Sequence, residues 1–106
     1  MTEAFKREIV QRVTKNLLDI QLLRLIEAEP MWGYKIKKTV ENELGIKLRH
    51  AALYPMLNHL EREGLVSSQR QQERGRIRKV YALTEKGKVF LESYYAVLKA
   101  QMKKRK

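Results

Sequence analysis

The sequence predicts a mainly α-helical domain that carries one small β-hairpin, an α+β arrangement. Apolar residues recur at helical spacing in four stretches of the 106-residue chain, and two strand-like runs lie between the third stretch and the fourth. A chain of this length is expected to form one domain with a modest core. Because the chain has no cysteine, disulfides and thiolate metal sites are excluded, and its two histidines lack the spacing of metal ligands.

The first predicted helix covers residues 5–29 and ends before Pro30. Between residues 17 and 26 apolar side chains cover nearly its whole circumference, and a helix that is apolar all round must be buried all round. We expect one face to meet the core of its own domain. The other face should meet a second copy of the chain through three leucines, Leu18, Leu22 and Leu25.

Two further helices follow. One is predicted over residues 33–44, with Gly45 as its stop signal. The other is predicted over residues 50–63 and stops at Gly64, and its inward face consists of three leucines, Leu53, Leu57 and Leu60. The opposite face is small, aromatic or hydrogen-bonding, and residues 49 and 50 lie at its N-terminal entry, where backbone N–H groups favour phosphate.

Pro55 lies inside this third helix, where a proline costs about 3 kcal/mol or more. If the helix begins near Ala52, the proline occupies its first turn and the missing N–H matters little. If the helix begins near His50, the carbonyl of Ala51 is freed instead. Either way the proline biases Tyr54 away from ideal helical geometry, and we expect the tyrosine to be aimed at a phosphate or, alternatively, packed against the hairpin.

Residues 65–83 predict the hairpin, whose two strands are joined through the basic tip Glu73-Arg74-Gly75-Arg76. Its glycine allows a tight backbone that can approach a groove. Thr84 is a natural N-cap for a last helix over residues 85–103. Apolar residues on that helix favour either a dimer seam or packing on its own domain: Leu91, Tyr95, Leu98 and Met102 at a/d-like spacing, with Tyr94 alongside.

The net charge of +11 is concentrated in residues 30–49, 65–88 and 99–106. Lysine and arginine that neutralise phosphates release counterions and supply affinity, so a polyanionic partner is the leading interpretation, with a solubilising surface as the alternative. The sequence has no catalytic Ser/His/Asp or Cys/His arrangement and no glycine-rich phosphate loop, which argues against an enzyme and predicts no cofactor. Without a signal peptide or a transmembrane stretch, a cytoplasmic protein is expected.

The order of three helices, a hairpin with a basic tip and a further helix is that of a winged helix-turn-helix domain. In such a domain the third helix enters the DNA major groove and the hairpin, or wing, reaches a neighbouring groove. The alternatives are a winged helix that binds RNA and one that only binds protein. RNA recognition usually recruits exposed aromatic residues, whereas the aromatics here mostly fall at core positions, so double-stranded DNA is favoured.

Three stretches in order, "EPMWGYKI", "LYPMLNHLEREGLV" and "GRIRKVYALTEKG", resemble the PadR-type transcriptional regulators in their short form. The resemblance implies a winged helix with a C-terminal dimerisation helix, a homodimeric repressor, a pseudo-palindromic DNA site and a small-molecule effector at the dimer interface. Two departures fall where bases would be read. Lys35 replaces the usual acidic residue, and residues 49–52 replace the usual Ser or Thr cap and glycine, so the family's fold transfers more safely than any target sequence.

The predicted site residues form two sets. Those expected to contact DNA are basic, aromatic, small or polar: Tyr34, Lys35, Lys38, Lys47, Arg49, His50, Ala51, Tyr54, Asn58, Arg74 and Arg76. The lysines are expected on phosphates if DNA docks as in the family, and the asparagine could pair with adenine. Those expected at the dimer interface come from the first and last helices: Leu18, Leu22, Leu25, Leu91, Tyr94, Tyr95, Leu98 and Met102.

Overall fold

The computed structural model describes residues 2–103 and confirms the mainly helical fold with a small sheet. Its elements are α1 (Thr2–Asn16), α2 (Leu18–Ala28), β1 (Met31–Trp32), α3 (Gly33–Leu44), α4 (His50–Arg62), β2 (Val66–Glu73), β3 (Arg76–Leu83) and α5 (Glu85–Lys103). The predicted third helix is α4, and the wing is the β2–β3 hairpin. Most of the basic end that the sequence singles out, residues 104–106, lies outside the described residues.

The first predicted helix is in fact two helices, and the prediction of one continuous helix over residues 5–29 is wrong. The backbone leaves helical geometry at Leu17, with φ −121° and ψ 41°. Asp19 contributes to the break, because its carboxylate accepts a hydrogen bond of 2.8 Å from the N–H of Ile20, and such local bonds compete with the helix. The break separates α1, in which only Thr14 is buried, from α2 in the core.

The core surrounds α2, which packs against α3, α4, α5 and β3. Leu22 and Leu23 of α2 are completely buried, as are residues of the facing helices such as Ile36, Leu53 and Leu91. The expectation that a second copy must cover the other face of this helix is therefore wrong for Leu22. Of the three leucines predicted to meet a second copy, Leu18 and Leu25 are half-buried and retain accessible surface.

The sheet has three antiparallel strands in the order β1-β3-β2. The short strand β1 is not predicted by the sequence; it pairs Met31 with Tyr81 and Trp32 with Val80. At the tip of the wing both central turn residues have positive φ, 51° at Arg74 and 78° at Gly75. Positive φ at both positions is what a type I′ turn requires, and this turn matches the twist of the flanking strands.

The end of α4 and the start of α5 meet at one junction. Gly64 has φ +77° and its N–H donates to the carbonyl of Glu61, while the N–H of Leu65 donates to the carbonyl of Leu60, which together form a Schellman cap. Thr84 caps α5, since its hydroxyl accepts from the N–H of Gly87 at 3.0 Å and donates to the carbonyl of Gly64 at 2.6 Å. Thr84 thus connects the end of α4 to the start of α5 by hydrogen bonds.

Candidate nucleic-acid interface

The outer face of α4 is the first component of the candidate interface. Its three inward leucines are fully or almost fully buried in the core. Its opposite side exposes small, polar and basic groups, at positions Ala51, Ala52, Pro55, Asn58 and Arg62. The helical projection from the sequence therefore places the correct face toward solvent.

Pro55 lies beyond the first turn of α4, because this helix begins at His50. Of the two interpretations, the second applies: the carbonyl of Ala51 loses its helical donor on the exposed side of the helix. The N-terminus of α4 is also open. Its N-cap is Arg49, with extended backbone and no side-chain cap, and the N–H groups of Ala52 and Leu53 both donate to the carbonyl of Arg49.

A groove of about 810 Å³ lies between α4, the start of α3 and β3. It brings together four predicted DNA contacts, which are Tyr34, Tyr54, Asn58 and Arg76. Six further residues line it that the sequence prediction left out: Trp32, Gly33, Ile77, Arg78, Lys79 and Tyr81. The groove is therefore aromatic on the α3 side and basic on the wing side. The expectation that the aromatic residues mostly lie in the core is wrong, because among the described residues Tyr81 is the only buried one.

Tyr54 lies at the centre of this groove. Its ring is stacked on that of His50, with centroids 5.2 Å apart and planes 8° apart. Its hydroxyl lies so close to Gly33 that a Cβ at this glycine would come within 2.6 Å of the oxygen. The tyrosine therefore packs against the start of α3, and among the described residues its hydroxyl has no side-chain hydrogen-bond partner.

The wing contributes more basic residues than its tip alone. The guanidinium of Arg78 lies 4.6 Å from the ring centroid of Trp32, which is within the range of a cation–π interaction. This contact holds one cation at the groove wall. The alternation of strand residues could have placed Arg78 on the same face as Arg76, but its partner Trp32 depends on β1, which the sequence did not reveal.

The remaining predicted contacts lie around this groove. Arg74 is exposed at the wing tip, and Lys38 is exposed on α3, 3.9 Å from Glu41. Lys35 faces another cavity and pairs with Glu29 at 2.6 Å. Three of the set border a third cavity, on the α1 side of α4: Lys47, Arg49 and Ala51.

A scan of family models gives a match over most of the chain. The model described as the transcriptional regulator PadR-like family matches residues 22–93. The chain belongs to the PadR-like family. No curated protein sequence matches it significantly. Within residues 2–103 of this PadR-like protein, no helix is long and apolar enough to cross a membrane.

Solved PadR-like structures share this fold. A PadR-like transcription factor from Bacteroides fragilis is 27% identical with TM-score 0.77, and the alignment covers 91% of this chain and 93% of that one. A PadR family regulator from Clostridium difficile is 31% identical with TM-score 0.73, covering 80% and 90%. One from Eggerthella lenta shares the fold at 24% identity and TM-score 0.77, covering 96% and 89%.

In this PadR-like protein, Glu61 of α4 contacts both strands of the wing. Its carboxylate accepts a hydrogen bond of 2.5 Å from Ser68 on β2 and lies 3.4 Å from the ammonium of Lys79 on β3. The serine hydrogen bond and the lysine lower the pKa of Glu61 below its usual range. The sequence offers no signal for this link, because the three residues come together only once the hairpin folds onto α4.

We expect Glu61→Gln to lower the free energy of unfolding by about 1 kcal/mol at neutral pH, because the charged acceptor is lost. A carboxyl whose pKa is lowered by folding stabilises the fold only while it is ionised, so the difference from wild type should shrink as the pH falls from about 5 to 3. Urea denaturation across this pH range measures it.

The matched control is Glu63→Gln at the same end of α4, whose carboxylate forms no ion pair with the described residues. It should leave the unfolding free energy nearly unchanged at every pH. A Glu61→Gln difference that persists undiminished at pH 3 would show that the charge of this residue has no part in holding the wing.

Proposed function

We propose that the protein is a homodimeric, sequence-specific repressor that binds double-stranded DNA. The observation that carries the proposal is the continuous groove in which the outer face of α4 meets the arginines of β3. In this proposal α4 enters the major groove and the wing follows the backbone into the neighbouring groove. Asn58, exposed in the middle of α4, is suited to pair with a base edge.

The distribution of charge also favours docking of DNA on α4 and the wing. Among the described residues Arg74, Arg76 and Arg78 form no ion pair with an acidic side chain, so the wing carries net positive charge even with Glu73 beside them. The N-terminus of α4, which no side chain caps, adds the positive end of the helix dipole beside Arg49. Backbone phosphates fit both features, since they accept hydrogen bonds from N–H groups and release counterions when they meet cations.

Exposed apolar residues on two helices, α1 and α5, support the proposed homodimer. On α5, Phe90, Leu98 and Met102 are exposed, and on α1 Phe5 and Ile9 are more than half exposed. Apolar surface of this kind, repeated at helical spacing, marks a protein interface. Of the predicted interface residues, Leu22 and Leu91 are fully buried within one chain and are not part of the proposed interface, to which the exposed apolar residues of α1 are added.

A two-fold dimer would present two copies of α4 to one side of a DNA duplex. The half-sites of its operator are then related by the same symmetry and lie about 10 bp, or a multiple of this, apart. Bound across a promoter, such a dimer would exclude the polymerase. Transcription in vitro from its own promoter should therefore fall as the protein is added.

The central test is fluorescence anisotropy with three probes across a salt series: the duplex upstream of its own gene, a scrambled duplex and a single-stranded RNA. We expect preference for the first duplex to survive about 200 mM salt, with a steep log–log salt slope. Arg76→Ala should weaken binding about tenfold and reduce the slope by about one. Equal binding to all three probes that salt abolishes would reject sequence-specific recognition of DNA.

The control for the arginine is Lys99→Ala, which removes one exposed cation from α5. Both variants lower the net charge by one unit. If affinity depends only on total charge, they will weaken binding equally. If the wing contacts phosphate, only Arg76→Ala will do so.

A second prediction concerns the Tyr54 hydroxyl. Its ring is already held by packing against Gly33 and by stacking on His50, so Tyr54→Phe should leave the melting temperature almost unchanged. If the hydroxyl donates to a phosphate, affinity for the duplex should fall about tenfold or more, in line with one hydrogen bond to a charged acceptor. Unchanged affinity at low salt would mean that Tyr54 has only a packing role.

The dimer is tested with Leu98→Glu, which places a charge in the exposed apolar face of α5. We expect a shift from dimer to monomer in multi-angle light scattering at micromolar concentration, because a buried unpaired charge is costly. Ser93→Glu, at an exposed position elsewhere on the same helix, should leave the dimer intact. A monomeric wild-type protein would contradict both the dimer and the symmetric operator.

A further inference from the structure

A separate cavity of about 540 Å³, the Gln21 cavity, lies between α2, α3 and α5. It shares no lining residue with the groove beside the wing. Its volume is that of a small-molecule site. Its walls are mixed, with charged residues from α2 and α3 and an apolar part formed by four residues, Leu25, Ala28, Met31 and Leu44.

Gln21 is the unusual residue of this cavity, because it is only 4% exposed and its amide is half satisfied. Its Oε1 accepts a hydrogen bond of 2.8 Å from the guanidinium of Arg24. A guanidinium only donates, so this bond fixes which end of the amide is oxygen. The Nε2 then has no partner among the described residues, although buried polar groups nearly always have one. The cavity therefore contains a buried donor that lacks an acceptor.

The charges around the cavity divide between two helices. From α2, Gln21 and Arg24 supply N–H donors. From α3, Glu43 supplies an exposed carboxylate that forms no ion pair with the described residues. The other charges are already engaged, because Lys35 pairs with Glu29 and the side chain of Glu27 accepts a hydrogen bond from a tyrosine of α5.

We propose that the Gln21 cavity binds a free α-amino acid with an apolar side chain. The carboxylate of the ligand accepts from Arg24, and the amide of Gln21, whose Nε2 is covered in this structure, turns toward the cavity to donate to it. The ammonium group of the ligand meets Glu43. The apolar part of the wall, which includes Leu25 and Met31, receives the side chain. A zwitterion suits this site better than a simple anion, because the wall carries three carboxylates against two cations.

The test is isothermal titration calorimetry of the full chain without DNA, so its outcome does not depend on the proposed function. The probes are L-leucine, L-methionine and two analogues of leucine that keep one charged end, 4-methylpentanoate and isoamylamine. We expect at least one amino acid to bind, and both analogues to bind about tenfold more weakly or not at all.

Three variants locate the binding. Gln21→Met keeps the volume of the side chain but removes its donor, and should weaken amino-acid binding about tenfold. Glu43→Gln should weaken it similarly, while Gln11→Met, on the exposed face of α1, should have no effect. Circular dichroism verifies the fold of each variant. If Gln21→Met does not fold, the effect of Glu43→Gln on amino-acid binding decides whether the ligand occupies this cavity, because Glu43 is exposed.

Two results would overturn the proposal. One is the absence of binding heat for both amino acids up to about 10 mM, or binding that neither Gln21→Met nor Glu43→Gln alters. The other is a Gln21→Met variant that becomes monomeric in light scattering while no amino acid binds to wild type. That second result would assign the unpartnered amide to contact with a second copy of the chain.

Discussion

The geometry of this protein depends on the junction between Thr84 and the end of α4. The threonine hydroxyl bonds to both Gly64 and Gly87, and its N–H donates to the carbonyl of Leu65 at 3.2 Å. The backbone of Gly87 packs so tightly on the carbonyl of Leu65 that no side chain would fit between them. These contacts hold α4, the base of the wing and α5 together. If α5 forms the dimer interface, the junction at Thr84 sets the distance between the two copies of α4.

Much of this fold can be predicted from local sequence signals. The buried face of α4, the cap at Gly64 and the N-cap at Thr84 each depend on neighbours within a few residues, so periodicity and capping rules find them. The break at Leu17 and the strand β1 were missed for a shared reason. Neither leaves a signal in the apolar periodicity: the two-residue strand β1 exists through its pairing with Val80 and Tyr81 of β3, and the apolar spacing continues across the break, where the backbone changes at Leu17 and Asp19 bonds to the N–H of Ile20.

The site was less predictable than the fold. Sequence reasoning found the charges but not their partners, and the partners decide which charges are available. Lys35 pairs with Glu29, and Lys37 and Lys38 share Glu41, so part of the positive charge of α3 is compensated. The bond from Lys37 and the N–H of Leu48 also lower the pKa of Glu41, which keeps it ionised as the counter-charge. On the wing, by contrast, Arg74, Arg76 and Arg78 form no ion pair with the described acidic side chains.

The turn at the wing tip has a charged residue at a position where an uncharged one would be more stable. A type I′ turn favours Asn-Gly or Gly-Gly, yet the first central position holds Arg74 at φ 51°. For a residue with a long side chain this left-handed conformation costs about 1 kcal/mol, and an exposed arginine recovers little of it by packing. An asparagine there would make a more stable hairpin with less charge. The turn therefore places a guanidinium at the outermost point of the wing, where a phosphate backbone would first be met.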